Sequence, residues 1–165
     1  FTDTSLVQEG FTQAQTLRNS WRQLKDIELV IVSPLKRTLQ TATEIFKDHN
    51  VPIIALEHSR EYPLGKHTCN KRSSKELYKK LFPHINFDNL QTDQDELWLS
   101  HREETIEELN VRIQKCKEFI VNRPENTIAF VNHNSFIGQM KDNYIRYMDN
   151  NDPELKHCHP YLLKI

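Results

Sequence analysis

Three side chains are of types that could carry chemistry: Arg37, Glu61 and His133. Arg37 falls one turn into a helical pattern that follows the apolar run Leu29–Val32. A guanidinium held there can grip two phosphate oxygens in a bidentate way. His133 comes directly after a second apolar run, Thr127–Val131, and Asn134 follows it. Glu61 lies in Arg60-Glu61-Tyr62, inside a polar stretch with no periodicity. Each residue also has a plainer reading: a surface arginine, a core histidine satisfied by backbone, a solvated loop glutamate. The basic stretch Lys71-Arg72, Lys75 and Lys79-Lys80 reads as a solvated face, with Lys71 and Arg72 able to meet an anionic substrate. His157-Cys158-His159 lacks a second ligand cluster, so no metal site is expected.

These residues need elements to hold them. Phe11, Ala14, Leu17, Trp21 and Leu24 have helical spacing, which predicts an amphipathic helix over residues 5–25. Leu29–Val32 reads as a strand buried on both faces. Leu35, Leu39, Ala42, Ile45 and Phe46 predict a helix with Pro34 in its first turn. Residues 51–56 read as a strand, 57–72 as a surface excursion, 75–81 as a short helix and 84–101 as irregular. The apolar period from Ile106 to Ile120 predicts a long helix from Glu103 to about Arg123. A strand over 127–131, a helix over 135–149 and a last strand over 161–165 complete the pattern. Alternating strands and helices predict a three-layer α/β/α sandwich with a mostly parallel sheet. Ligands of such folds bind beyond the carboxyl ends of strands. Here two strands run into helix starts suited to an anion, Ser33–Thr38 and Asn132–Ser135.

The 165 residues suffice for one domain. Lys and Arg number 22 against 23 Asp and Glu, for a net charge of −1, so no nucleic-acid or membrane partner is expected. No apolar run approaches the roughly 20 residues of a membrane span. The three glycines are too far apart for a dinucleotide or P-loop fingerprint, and no cofactor is expected. Three widely spaced cysteines form no disulfide framework, which favours a reducing, cytoplasmic setting.

The order of motifs resembles a known family. Asp3-Thr4-Ser5-Leu6 with Gly10, Gln13 and Ala14 is similar to the D-x-x-L-T-x-x-G-x-x-Q-A segment of the histidine phosphatase superfamily, the phosphoglycerate mutase-like proteins. Ser33 to Ala42 nearly reproduces that family's S-P-x-x-R-x-x-Q-T-A. Arg60-Glu61 with Gly65 resembles its acid-bearing segment, and Val131 to Phe136 its second histidine block. Cys69 to Ser73, Leu81-Phe82-Pro83 and Trp98 resemble a plant and fungal branch.

The resemblance implies an α/β sandwich acting on a small phosphorylated substrate, as a phosphomonoesterase that forms a phosphohistidine. Arg37, His133 and Asn134 would bind phosphate, and Glu61 and His133 would be catalytic, Glu61 as the proton donor and His133 as the second histidine of the site. A phosphoglycerate mutase is disfavoured, because no mutase-type substrate segment follows Glu61. The family's Arg-His-Gly motif, which supplies the nucleophile from the first strand, does not occur in these residues. The expectation is that a segment before Phe1 carries it. Otherwise the protein is a non-catalytic, phospho-ligand-binding member. A sheet without that strand is expected to leave two unpaired edges within it.

Overall fold

Four consecutive apolar residues, Leu29–Val32, form strand β1, and all four are buried because the strand has helices on both faces. Strands β2 (Ile53–Ala55), β3 (Ile85–Asn86) and β4 (Ile128–Val131) join it in the order β3-β2-β1-β4, every neighbouring pair parallel. Val30 lies opposite Ile53 on one side and Ala129 on the other. The computed structural model describes residues 1–143, 155–163 and 165.

Alternation along β1 sorts the core into two layers. Val30 and Val32 pack with Ala14 of α1 (Gln8–Ser20), Leu39 and Phe46 of α2 (Lys36–Phe46) and Tyr78 of α3 (Lys75–Leu81). Leu29 and Ile31 pack with Leu109 and Cys116 of α4 (Ile106–Val121) and with Phe136 and Met140 of α5 (Asn134–Asp142). The result is the three-layer α/β/α arrangement with a parallel sheet. Thr105 starts α4 with a capping box, its hydroxyl accepting from Glu108 N while the Glu108 carboxylate accepts from Thr105 N.

Several boundaries differ from the sequence expectation. The first helix stops at Ser20 because Trp21 is extended, and residues 22–26 form a separate 3-10 turn. Pro34 precedes α2 rather than entering it, since Leu35 holds the extended cap position. The two-residue β3 lies in the stretch read as irregular. Asn143 closes α5 in the left-handed conformation (φ 52°), and positions 144–149 of the expected helix lie outside the described residues. No strand forms over 161–163. That segment turns on itself instead: Lys156 N donates to Tyr161 Oη, and the His159 and Tyr161 rings meet edge to face. The expected gap within the sheet is also absent, because β1 pairs directly with both β2 and β4. Among the described residues the outer edge of β4 has no strand partner.

Candidate active site

The carboxyl ends of β1 and β4 lie side by side, and the chemistry-bearing residues follow from that pairing. Ser33 continues β1, its amide donating to Val131 O. His133 caps α5 and is buried, with Nε2 2.7 Å from Ser33 Oγ. Burial first, then the positive charges of Arg37 and Arg112, hold its pKa well below the ordinary imidazole value. His133 is therefore neutral at pH 7.

Arg37 sits in the first turn of α2. It donates from Nη1 to Cys69 O and from Nη2 to Asn70 Oδ1, both at 3.0 Å. Two of its five N–H donors are thus spent on holding the excursion against α2. The α2 start is itself pinned: Asp3 accepts from Lys36 N at 2.8 Å, from Ser73 N and Oγ, and from the Tyr78 hydroxyl. Gln40 Oε1 accepts from Leu6 N at 2.7 Å. These contacts explain why an aspartate and a glutamine accompany the arginine in the two N-terminal motifs.

Glu61 reaches the start of α5, accepting from the amides of Tyr62, at 2.8 Å, and Phe136. Its side chain is half-buried, yet desolvation dominates and pushes its pKa above the ordinary carboxylate value. The Tyr62 amide, Arg37, Arg112 and the Phe136 amide oppose that rise without cancelling it. A half-buried carboxyl with a raised pKa can hold a proton and release it to a departing oxygen, while the nearby guanidinium can receive an anion. Asn134 opens α5 with its Oδ1 buried and without a hydrogen-bond partner, as is Nδ2 of Asn132. Asn132 Oδ1 accepts from His133 N.

Arg37 lies close enough to act on both Glu61 and His133, and Asn134 follows His133 at the start of α5. The two substrate-side candidates differ. Arg72 is buried, and its guanidinium is consumed by Glu57 and by the carbonyls of Thr92, Asp93, Gln94 and Ser73. It is a structural residue, a correction that follows from saturation of its donors. Lys71 stays half-exposed, its ammonium 4.9 Å from the Trp98 ring centroid. Among the described residues no group of three His, Cys, Asp or Glu side chains could hold a metal ion. No described helix is long and apolar enough to cross a membrane.

Arg112 on α4 acts on both Glu61 and His133 and was not among the sequence candidates. Its position carries a signal. Leu109, Arg112, Ile113 and Cys116 share one buried helical stripe, and an arginine there needs a partner.

The family described as the histidine phosphatase superfamily (branch 1) matches residues 1–159. Phosphoglycerate mutase-like protein 1 of Arabidopsis thaliana is 35% identical over 166 aligned positions, covering 82% of this chain and 58% of that protein. A probable phosphoglycerate mutase of Arthroderma benhamiae is 28% identical, over 77% of this chain and 41% of its own length. The chain spans about three fifths of the Arabidopsis relative it matches. Among solved structures, the alpha-ribazole phosphatase from Shigella flexneri superposes with a TM-score of 0.56 at 20% identity, over 83% of this chain and 65% of that one. A mycobacterial glucosyl-3-phosphoglycerate phosphatase gives 0.55 at 19% identity, over 84% and 67%. At such identities these two likenesses bear on the fold alone.

Proposed function

The chain belongs to the histidine phosphatase superfamily, and from that premise we propose that the complete protein is a metal-independent phosphomonoesterase working through a phosphohistidine. The observation that carries this reading is that Arg37, following β1, acts on both Glu61 and His133, the latter at the adjoining end of β4. The nucleophilic histidine is assigned to a segment preceding Phe1, a strand and loop ending in Arg-His-Gly or close to it. The outer edge of β4, which has no strand partner among the described residues, supports that assignment.

In the first step an imidazole nitrogen of the upstream histidine attacks phosphorus. The bond from phosphorus to the ester oxygen breaks, and that oxygen takes the Glu61 proton. Arg37 stabilises the charge spread over the equatorial oxygens, with neutral His133 beside it. In the second step water attacks the phosphohistidine and gives its proton to the Glu61 carboxylate. The phosphorus–nitrogen bond breaks, releasing inorganic phosphate and restoring both groups.

The test is rapid quenching of the complete natural protein during turnover of a labelled aryl phosphate, followed by peptide mapping. The expected product is an acid-labile, base-stable phosphohistidine on a residue before Phe1. Turnover with no phosphoenzyme, or label on a histidine within residues 1–165, overturns the reading. Phosphate binding without turnover places the protein among non-catalytic members.

A further inference from the structure

Glu61 stands on an excursion with little regular structure, so something must hold its carboxyl at the start of α5. The backbone on both sides of Glu61 is tied to one place. Nη1 of Arg112 donates to His58 O at 2.6 Å and to Arg60 O at 2.9 Å, on the N-terminal side. On the C-terminal side, Glu104 Oε2 accepts from Leu64 N at 3.2 Å, and Glu104 N donates to Leu64 O at 2.8 Å. The two halves of this grip are joined, because Arg112 Nε and Nη2 form a two-pronged pair with Glu104 at 2.5 and 2.7 Å. Both side chains of the pair are over nine-tenths buried. The guanidinium also lies 5.5 Å from the centroid of Phe136, the residue whose amide holds the Glu61 carboxylate.

We propose that the Arg112–Glu104 pair is the positioning element for the proton donor Glu61. The planar fork is what the role requires: one edge matches a carboxylate, while the remaining nitrogen spans two carbonyls. Four of the five N–H donors of Arg112 are directed to Glu104 and to the two carbonyls. The inference rests on the reading of Glu61 as the donor.

The test exploits leaving-group dependence, which a general loss of folding does not alter. A nitrophenolate leaves with little help from an acid, whereas an alkoxide requires the proton. Turnover of 4-nitrophenyl phosphate and of a simple alkyl phosphate is measured for the complete protein and for Arg112→Lys, Glu104→Gln and Glu61→Gln. Arg112→Lys keeps the charge and loses the fork; Glu104→Gln keeps the shape and serves if the lysine variant does not fold. The loss on the alkyl ester is expected to exceed the loss on the aryl ester by at least about tenfold in both positioning variants, in the same direction as in Glu61→Gln. Equal losses on the two esters in Arg112→Lys and Glu104→Gln, with the skew present in Glu61→Gln, overturn the positioning role alone. Equal losses in Glu61→Gln overturn the donor assignment and the inference with it.

Discussion

Replacing Arg37 by alanine separates a phosphate ligand from a surface arginine, and the structure sets the size of both effects. The guanidinium bonds Cys69 O and Asn70 Oδ1 at a half-buried position. Losing two such bonds where water can partly replace them costs about 1–2 kcal/mol of stability. For a chain of this size that is a Tm fall of roughly 2–8 °C. The catalytic loss is larger: a preorganised donor to a developing oxyanion is worth about 3–4 kcal/mol, or two to three orders of magnitude in turnover. Arg37→Ala in the complete protein should therefore remain folded while losing at least about a hundredfold on an aryl phosphate. Arg37→Lys should stay within about tenfold of the alanine variant, because an ammonium cannot span a carbonyl, an amide oxygen and an anion together. A second readout does not involve turnover. Arg37 is one of the causes of the low His133 pKa, so its removal should move the imidazole titration upward in NMR. The shift should be partial, since burial is the larger cause. Turnover within threefold of wild type and an unmoved His133 titration would refute the reasoning.

Two further outcomes concern the pocket's supports. The native His133 pKa lies below its unfolded value of 6.5, so the unfolded chain binds the extra proton first, and stability falls as pH drops below about 6.5. Glu61 acts oppositely, its native pKa being raised, so its contribution is lost as pH climbs through that raised value. Denaturant unfolding at pH 7.5 and 5.5 should therefore show a drop in wild type that His133→Gln reduces by up to about 1.4 kcal/mol; identical pH dependence in both would exclude it. Gly65 has φ +90°, and a Cβ there would sit 2.0 Å from Arg102 O and 2.8 Å from Leu99 O. Gly65→Ala should destabilise by at least about 2 kcal/mol in the denaturant midpoint, and a change under about 0.5 kcal/mol would mean that this turn is not held as described.

The elements with a strong period were legible. Leu29–Val32 and the α2 stripe Leu39, Ala42, Ile45 and Phe46 lie where their spacing places them, since burial alone dictates that pattern. Arg37, Glu61 and His133 could be named because each follows a recognisable strand end or motif. What sequence could not supply was the pairing of distant polar groups. Arg72 reads as a basic surface residue until Glu57 and the 92–94 carbonyls are seen around it. Arg60 is fully buried against Glu57 and Asp95, partners whose positions follow no period. Trp21 ends a helix with no proline or glycine to announce it. The expected strand over 161–165 rested on apolar content alone, and Tyr161 spends its hydroxyl on Lys156 instead.

The pairing of β1 with β4 bears on how the pocket comes into being during folding. Ser33 and His133, in contact through a 2.7 Å bond, are 100 residues apart in the chain. β1 and β2 are joined by a connection of only about twenty residues, and that ladder closes first. Closing the fivefold longer loop costs roughly 1.4 kcal/mol more in chain entropy. The part of the candidate site bearing Arg37 can thus assemble early, while the part bearing His133 must wait for α4 and β4 to be made and docked. A chain emerging from the ribosome cannot bring Arg37 and His133 together until α4 and β4 are available, which ties completion of the candidate site to completion of the sheet.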